Sequence, residues 1–202
     1  PTEFCVDSSA LITIDGPVAS GKTVVGRLVA QKLGWRFLDT GIMYRAVTWA
    51  AIESKVSPHD HASLVKLALE RAMEVVFHDS GEVSILLDHN DVTPYLRLGE
   101  VEARVSEVSK VAGLREVLVA RQRSIASVGH LVMAGRDIGT VVLYDALVKV
   151  FLTASVAERA KRRYTELHTR GRDVPYRQVM DGLEQRDLLD SEREISPLRP
   201  AK

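Results

Sequence analysis

The sequence predicts an α/β fold, a parallel sheet flanked by helices with a small antiparallel insert, and three observations carry that reading. A short apolar run at residues 10–14 precedes a glycine-rich turn and an apolar helical period from Lys22 to Leu33, the opening of a parallel sheet. Two short alternating segments, 74–78 and 83–88, flank Asp79-Ser80-Gly81 and read as a hairpin. The strand–helix alternation then resumes near residue 130.

In chain order, the β-branched run at 10–14 reads as a buried strand ending at Asp15-Gly16. In the helix that follows, Val24, Val25, Leu28, Val29 and Leu33 recur at helical spacing, and Gly34 stops it. Residues 36–38 form a second strand and 43–54 a second helix. After the hairpin, 91–92 extends the antiparallel piece, and helices follow over 101–111 and 114–127. Strands at 130–134 and 148–152 and helices at 156–169 and 176–190 complete the pattern.

The 202 residues, 46% of them hydrophobic, suffice for one such domain. Equal numbers of basic and acidic residues, 27 each, argue against a nucleic-acid coat. Of the basic residues 19 are Arg, and nine of those lie between Arg136 and Arg193, which suggests phosphate handling because the guanidinium fork matches phosphate oxygens. The one cysteine, Cys5, fits a reducing cytosol and gets no role. No apolar run reaches membrane-spanning length and the start does not read as a signal peptide, so a cytoplasmic protein without membrane attachment is expected.

Gly16-Pro17-Val18-Ala19-Ser20-Gly21-Lys22-Thr23 matches G-x-x-x-x-G-K-[ST] at every fixed position. Phosphate needs a concave ring of backbone N–H donors, and a helix beginning at Lys22 adds its positive end. Lys22 is placed to bridge the β and γ phosphates of ATP, and the Thr23 hydroxyl to hold Mg²⁺. Asp39-Thr40-Gly41 follows the second strand, where Thr40 or Asp39 caps the next helix. Arg45, early in that helix, opposes its dipole and suggests an anionic ligand nearby.

Gly135-Arg136-Asp137 follows a strand directly, so Arg136 and Asp137 are expected to face the same cleft as the P-loop. Arg159, Arg162 and Arg163, spaced i, i+3, i+4, share one helix face, and beside a P-loop they suggest a lid whose tip is Thr169-Arg170-Gly171-Arg172. Arg186, Asp190 and Arg193 run i, i+4, i+7 along one helix face. They suit either a surface ion-pair ladder or contacts to ribose and phosphate.

These motifs resemble the bacterial cytidylate kinase family over essentially the whole chain. The matching stretches are ITIDGPVASGKT, GWRFLDTGIMYRA, AGRDIGTVV, KVFLTASVAERAKRRY and EQRDLLDSEREISPL. The resemblance implies a P-loop nucleoside monophosphate kinase fold in a single domain. Its core covers about 8–55 and 113–202, its monophosphate-binding insert about 56–112 and its lid about 156–174. It implies transfer of the γ-phosphoryl of ATP to CMP or dCMP with Mg²⁺, by a monomer. It assigns Thr40, Arg45, Ser106, Arg115, Arg136, Asp137, Arg186, Asp190 and Arg193 to the acceptor, with Asp39 beside them, and the three lid arginines to the transferring group. Ser106 and Arg115, aided by Asp137, fall where the family reads cytosine, and Arg136 where it contacts the acceptor phosphate.

Val18 departs from the family's small polar residue there, tolerably, since backbone N–H groups hold the phosphates. The resemblance also leads us to expect a further strand and helix after the stretch that ends this sequence at Lys202. No acidic residue ends the strand before Gly135 as a metal support, and Asp137 is expected to serve in part. A kinase for UMP or a small metabolite, and a nucleotide switch that is not a kinase, stay open as alternatives.

Overall fold

The computed structural model describes residues 10–202, and Cys5 lies outside them. The first half of the chain runs β1 (Leu11–Asp15), α1 (Lys22–Leu33), β2 (Arg36–Asp39), α2 (Gly41–Glu53), α3 (His61–Glu70), β3 (Met73–Phe77), β4 (Val83–Leu87) and β5 (Asn90–Asp91). A 3₁₀ turn (Thr93–Tyr95) leads into α4 (Gly99–Val108), α5 (Ala112–Ala126) and β6 (Leu131–Gly135). A π-helical turn (Ile138–Val142), β7 (Val148–Phe151), α6 (Val156–Thr169) and α7 (Tyr176–Glu192) complete it.

Four strands pair in parallel in the order β2-β6-β1-β7, and β3-β4-β5 form a separate antiparallel sheet, so the expected fold class holds. Pairing Asp15 with Gly135 and Asp39 with Ala134 brings three strand ends to one edge. Ligands of open parallel sheets bind beyond that edge.

The interior follows from strand periodicity. All five residues of β6 are buried. Leu131 and Met133 enter the main core, whereas Val132 and Ala134 join Ile14, Phe37 and Ala30 under α1. The main core also takes Leu64, Ala68, Ile85, Leu87 and Val105, so the antiparallel region shares one interior with the parallel sheet. A third cluster joins Ala160 and Leu167 of α6 to Val179 and Leu183 of α7, and Val18 of the P-loop packs against it.

Two features were not foreseen and one expectation needs correction. The apolar period located α1, and Gly34 (φ 67) ends it by donating to Ala30 and Gln31, but of the five apolar residues only Val29 packs inward. Val24 is 65% and Leu28 52% exposed, while Gly26 and Ala30 are buried. The cause is close approach: a Cβ on Gly26 would meet Phe37 at 2.3 Å, so this helix seats on the sheet through its smallest residues. Helix α3 was not foreseen, although Asp60 caps it by accepting from the Ser63 N–H at 3.1 Å and Leu64 and Ala68 supply its buried face. Arg193 is not on the last helix, because α7 runs to Glu192 and Arg193 leaves it in extended backbone.

Asp15, at the end of β1, is a buried carboxylate that accepts from the Ile138 and Gly139 N–H groups at 2.8 and 2.7 Å. Burial pushes its pKa up, and the two backbone bonds oppose that. It thereby fixes the turn that follows Arg136 and Asp137. Each oxygen serves one donor, and an asparagine offers a single acceptor. Asp15→Asn is therefore expected to cost about 1–3 kcal/mol of stability, read as a lower urea midpoint at unchanged m-value. An unshifted midpoint would show that the carboxylate does not anchor this turn. Among the described residues no helix is long and apolar enough to cross a membrane.

Candidate active site

Between β1 and α1 the chain makes a tight loop. Gly16 (φ 149) and Gly21 (φ 104) adopt backbone that L side chains rarely reach, and a Cβ on Gly16 would meet the Leu152 carbonyl oxygen at 2.0 Å. Ala19 (φ 58) takes a left-handed conformation despite its Cβ, which a surrounding structure must hold in place. No side chain caps α1 at Gly21, so its first N–H groups have no intrahelical partner and face the loop's concavity.

Lys22 is buried at the mouth of that concavity. Its Nζ turns back to donate to the Pro17 carbonyl at 2.6 Å and the Ser20 hydroxyl at 3.4 Å. Burial first, and the Arg136 charge second, push its pKa down to about 6. Such an ammonium lacks a strong anionic partner. The Thr23 hydroxyl donates to Asp39 Oδ2 at 2.7 Å, while Asp39 Oδ1 accepts from the Gly41 N–H at 3.1 Å. Asp39 thus does the capping; the Thr40 hydroxyl instead donates to the Ala134 carbonyl at 3.1 Å. The carboxylate beside Thr23 comes from the end of β2, and Asp137, expected to help there, is committed elsewhere.

Asp137 forms a buried ion pair with Arg115, whose Nη1 also donates to the Ser109 carbonyl at 3.2 Å and whose guanidinium lies 5.5 Å from the Tyr44 ring centre. Arg193 Nη2 stands 3.9 Å from the other oxygen of Asp137. Asp190 accepts from Arg136 Nε at 2.8 Å and has Arg186 Nε at 4.0 Å. Although burial works against it, Arg136 and Arg186 hold the Asp190 carboxyl below its usual range. Burial, then Arg136, lower Arg186 to about 10, and buried Arg186 Nε and Arg193 Nη2 lack hydrogen-bond partners. Ser106 does not line the cleft, whereas Ser109, one turn later, does.

The three arginines expected on a lid diverge. Arg159 is buried as a fork on Asp187, at 3.0 and 2.5 Å, and also donates to the Val18 and Ala154 carbonyls. It braces α6 against α7 and the P-loop and does not line the cleft. Only Arg162, which reaches the Ser20 carbonyl at 3.2 Å, and Arg163, on Glu166 and Glu102, face inward. Sequence reasoning missed Glu102 and Asp187 and gave Tyr44, noted beside Arg45, no role. A buried aromatic at i−1 from Arg45 was the one available signal, since lone acidic residues carry none.

These side chains converge on one cleft of about 1290 Å³ between the strand ends, α4 and α6–α7. Eleven Lys and Arg line it against six Asp and Glu, a surplus of five positive charges in a chain of zero net charge. A groove between α3 and α5, lined largely by Ala62, Val65, Leu69 and Val111, has no comparable convergence.

Fold and cleft together define a P-loop phosphotransferase, built to hold several phosphate groups at once. The cytidylate kinase family model matches residues 12–202. A cytidylate kinase of Bacillus velezensis is 46% identical over 197 residues, 98% of this chain and 88% of that one. That of Desulforamulus reducens is 48% identical over 191 residues, 95% and 85% of the two chains. A bifunctional pantoate ligase/cytidylate kinase of Synechococcus sp. is 47% identical over 193 residues, 95% of this chain and 36% of the longer protein. The chain belongs to the cytidylate kinase family.

Proposed function

We propose that this chain transfers the γ-phosphoryl group of ATP to CMP or dCMP, giving CDP or dCDP, within the cleft around Lys22. The observation that carries the reading is the cluster of buried, under-partnered basic groups: Lys22 turned back on its own loop, and Arg186 and Arg193 with unbonded nitrogens. Family membership supplies the identity of the acceptor.

The loop fits the donor. Its uncapped helix start and strained glycines suit triphosphate oxygens, and Lys22 moves from the Pro17 carbonyl onto the β and γ phosphates. Mg²⁺, which takes a few protein oxygens and otherwise phosphates and water, is suited by the Thr23 hydroxyl with Asp39 beside it. Bound there, it would supply neutralisation of the phosphate charge. Arg45, Arg136 and Arg186 hold the acceptor phosphate, and Asp190 with Arg193 orients the ribose side.

An oxygen of the acceptor phosphate attacks the γ-phosphorus, the bond to the ADP oxygen breaks, and ADP leaves. The attacking group is already an oxyanion, so no general base is needed, and positioning with charge stabilisation carries the rate. Arg162 and Arg163 are the lid residues placed to neutralise the transferring group. The segment 156–174, whose packing with α7 is separate from the main core, serves as the lid that excludes water. Arg159 supports the reaction by bracing that lid. The reading also includes a monomer, an insert over about 56–112 that carries the acceptor side, and work in the cytoplasm.

A coupled assay of ATP consumption with CMP, dCMP, UMP and AMP tests this. CMP and dCMP are expected to accelerate consumption far above the acceptor-free rate, with UMP and AMP weaker. Faster turnover with UMP, or slow hydrolysis indifferent to every acceptor, would replace the reading by one of its alternatives.

A further inference from the structure

Glu102 sits on α4 with its side chain only 11% exposed, at the meeting point of three arginines from other parts of the chain. Its Oε2 accepts from Arg163 Nη2 of α6 at 3.0 Å and from Arg172 Nη1, beyond the end of α6, at 2.6 Å. Its Oε1 faces Arg45 Nη1 of α2 at 3.8 Å. The two oxygens thus divide the cleft. One holds the lid, and the other faces an arginine on the acceptor side.

A carboxylate here repels the phosphates that the cleft attracts, so it acts through what it organises. The two short bonds go to the lid, and they cross from α4 to α6 and the segment after it. The looser contact leaves Arg45 turned toward the cleft and steadied by the Leu96 carbonyl at 3.2 Å. Arg163 keeps a second partner, Glu166 at 2.8 Å, so its position does not rest on Glu102 alone. Arg172 has no other ion-pair partner among the described residues, and its side chain is 43% exposed.

We propose that Glu102 is a positioning residue that couples occupancy of the acceptor site to closure of the lid, clamping Arg172 and Arg163 with one oxygen while setting Arg45 with the other. The inference rests on the kinase reading above. An acceptor phosphate that draws Arg45 into place strengthens the arrangement in which Glu102 keeps the lid shut over the donor. Bound acceptor therefore tightens donor binding, and the reverse.

The test uses the full chain and steady-state kinetics with ATP and CMP varied together. In the parent, saturating CMP is expected to lower the apparent KM for ATP. In Glu102→Gln that mutual effect shrinks toward none and kcat falls about tenfold. The Kd for a non-hydrolysable ATP analogue without acceptor stays within about threefold, because the P-loop is untouched. A lesion that merely loosened the fold would weaken all three together. Glu102→Asp, which retains the charge on a shorter stem, recovers part of the coupling. Arg172→Ala reproduces part of the loss, and adding it to Glu102→Gln costs little more, since both break the same Glu102–Arg172 ion pair.

Parent-like coupling and kcat in Glu102→Gln would overturn the proposal, as would fully multiplicative effects of the two substitutions. Should Glu102→Gln fail to fold, Arg172→Ala decides alone: reduced coupling supports the clamp, and parent-like coupling overturns it. Failure of the parent to phosphorylate any nucleoside monophosphate strikes at the kinase reading, which the same assay reports separately.

Discussion

Lys22→Met is expected to remove nearly all phosphoryl transfer and, in the absence of ligands, to raise the melting temperature. Both effects follow from one placement. The ammonium is buried at the loop mouth, and its pKa is pushed down to about 6 by burial first and Arg136 second. On the reading proposed above, the β and γ phosphates of bound ATP supply the missing counter-charge, and the lysine then stabilises the transferring group at least as strongly as one donor of an oxyanion site. Its loss should lower kcat by about 10²–10³-fold. Without ATP the same group costs stability. Each pH decade of such a shift amounts to about 1.4 kcal/mol, so removal gains about 1–3 kcal/mol after the lost bond to the Pro17 carbonyl is deducted. The sign also fixes the pH dependence. Between about 6 and 10.5 the unfolded chain binds the proton that the folded chain has shed, so ligand-free stability rises with pH across that window. Parent and Met variant, melted in parallel from pH 6 to 10, should differ most at the acid end of the window. A variant that melts lower there would show that Lys22 is already satisfied without a nucleotide.

Much of this arrangement was legible in the sequence, and the division between what was and what was not has a physical basis. The bounds of α1 and α6 could be read because periodicity, a terminal glycine and a capping serine act within a few residues. Which face of α1 is buried could not be read, since it depends on Phe37 lying against Gly26. The P-loop was unambiguous because its backbone geometry demands glycine at fixed spacing. The arginine triplet was found as a triplet, but its helical spacing said nothing of Asp187, which takes Arg159 out of the cleft. Asp15 and Glu102 escaped notice for the same reason. Their partners lie 123 and 70 residues away, and a single carboxylate has no local pattern to announce it.

The buried pair Arg115–Asp137 gives the largest expected loss of stability, and the two partners should differ in the damage each deletion does. Asp137→Ala leaves Arg115 with the Ser109 carbonyl and the Tyr44 ring, and leaves Arg193 nearby as a like charge. A buried cation without its counter-ion is expected to cost about 3–5 kcal/mol. Arg115→Met is milder, about 1–3 kcal/mol, because Arg193 Nη2 already stands 3.9 Å from Asp137 Oδ1 and can close on it. Combining Arg115→Met with Asp137→Leu removes both charges and should recover most of the stability lost in Asp137→Ala. It should not recover the reaction. If, as we propose, this pair faces the base, cytosine presents an amino donor beside ring acceptors, which a carboxylate next to a guanidinium matches, whereas uracil presents a carbonyl where the carboxylate needs a donor. The double variant is therefore expected to melt near the parent, to show a KM for CMP raised by about 10²-fold, and to lose its preference for CMP over UMP. Chemical denaturation and acceptor kinetics on the same preparations separate the two effects. A milder loss for Asp137→Ala than for Arg115→Met would mean that Arg193 does not stand in reserve as the geometry implies.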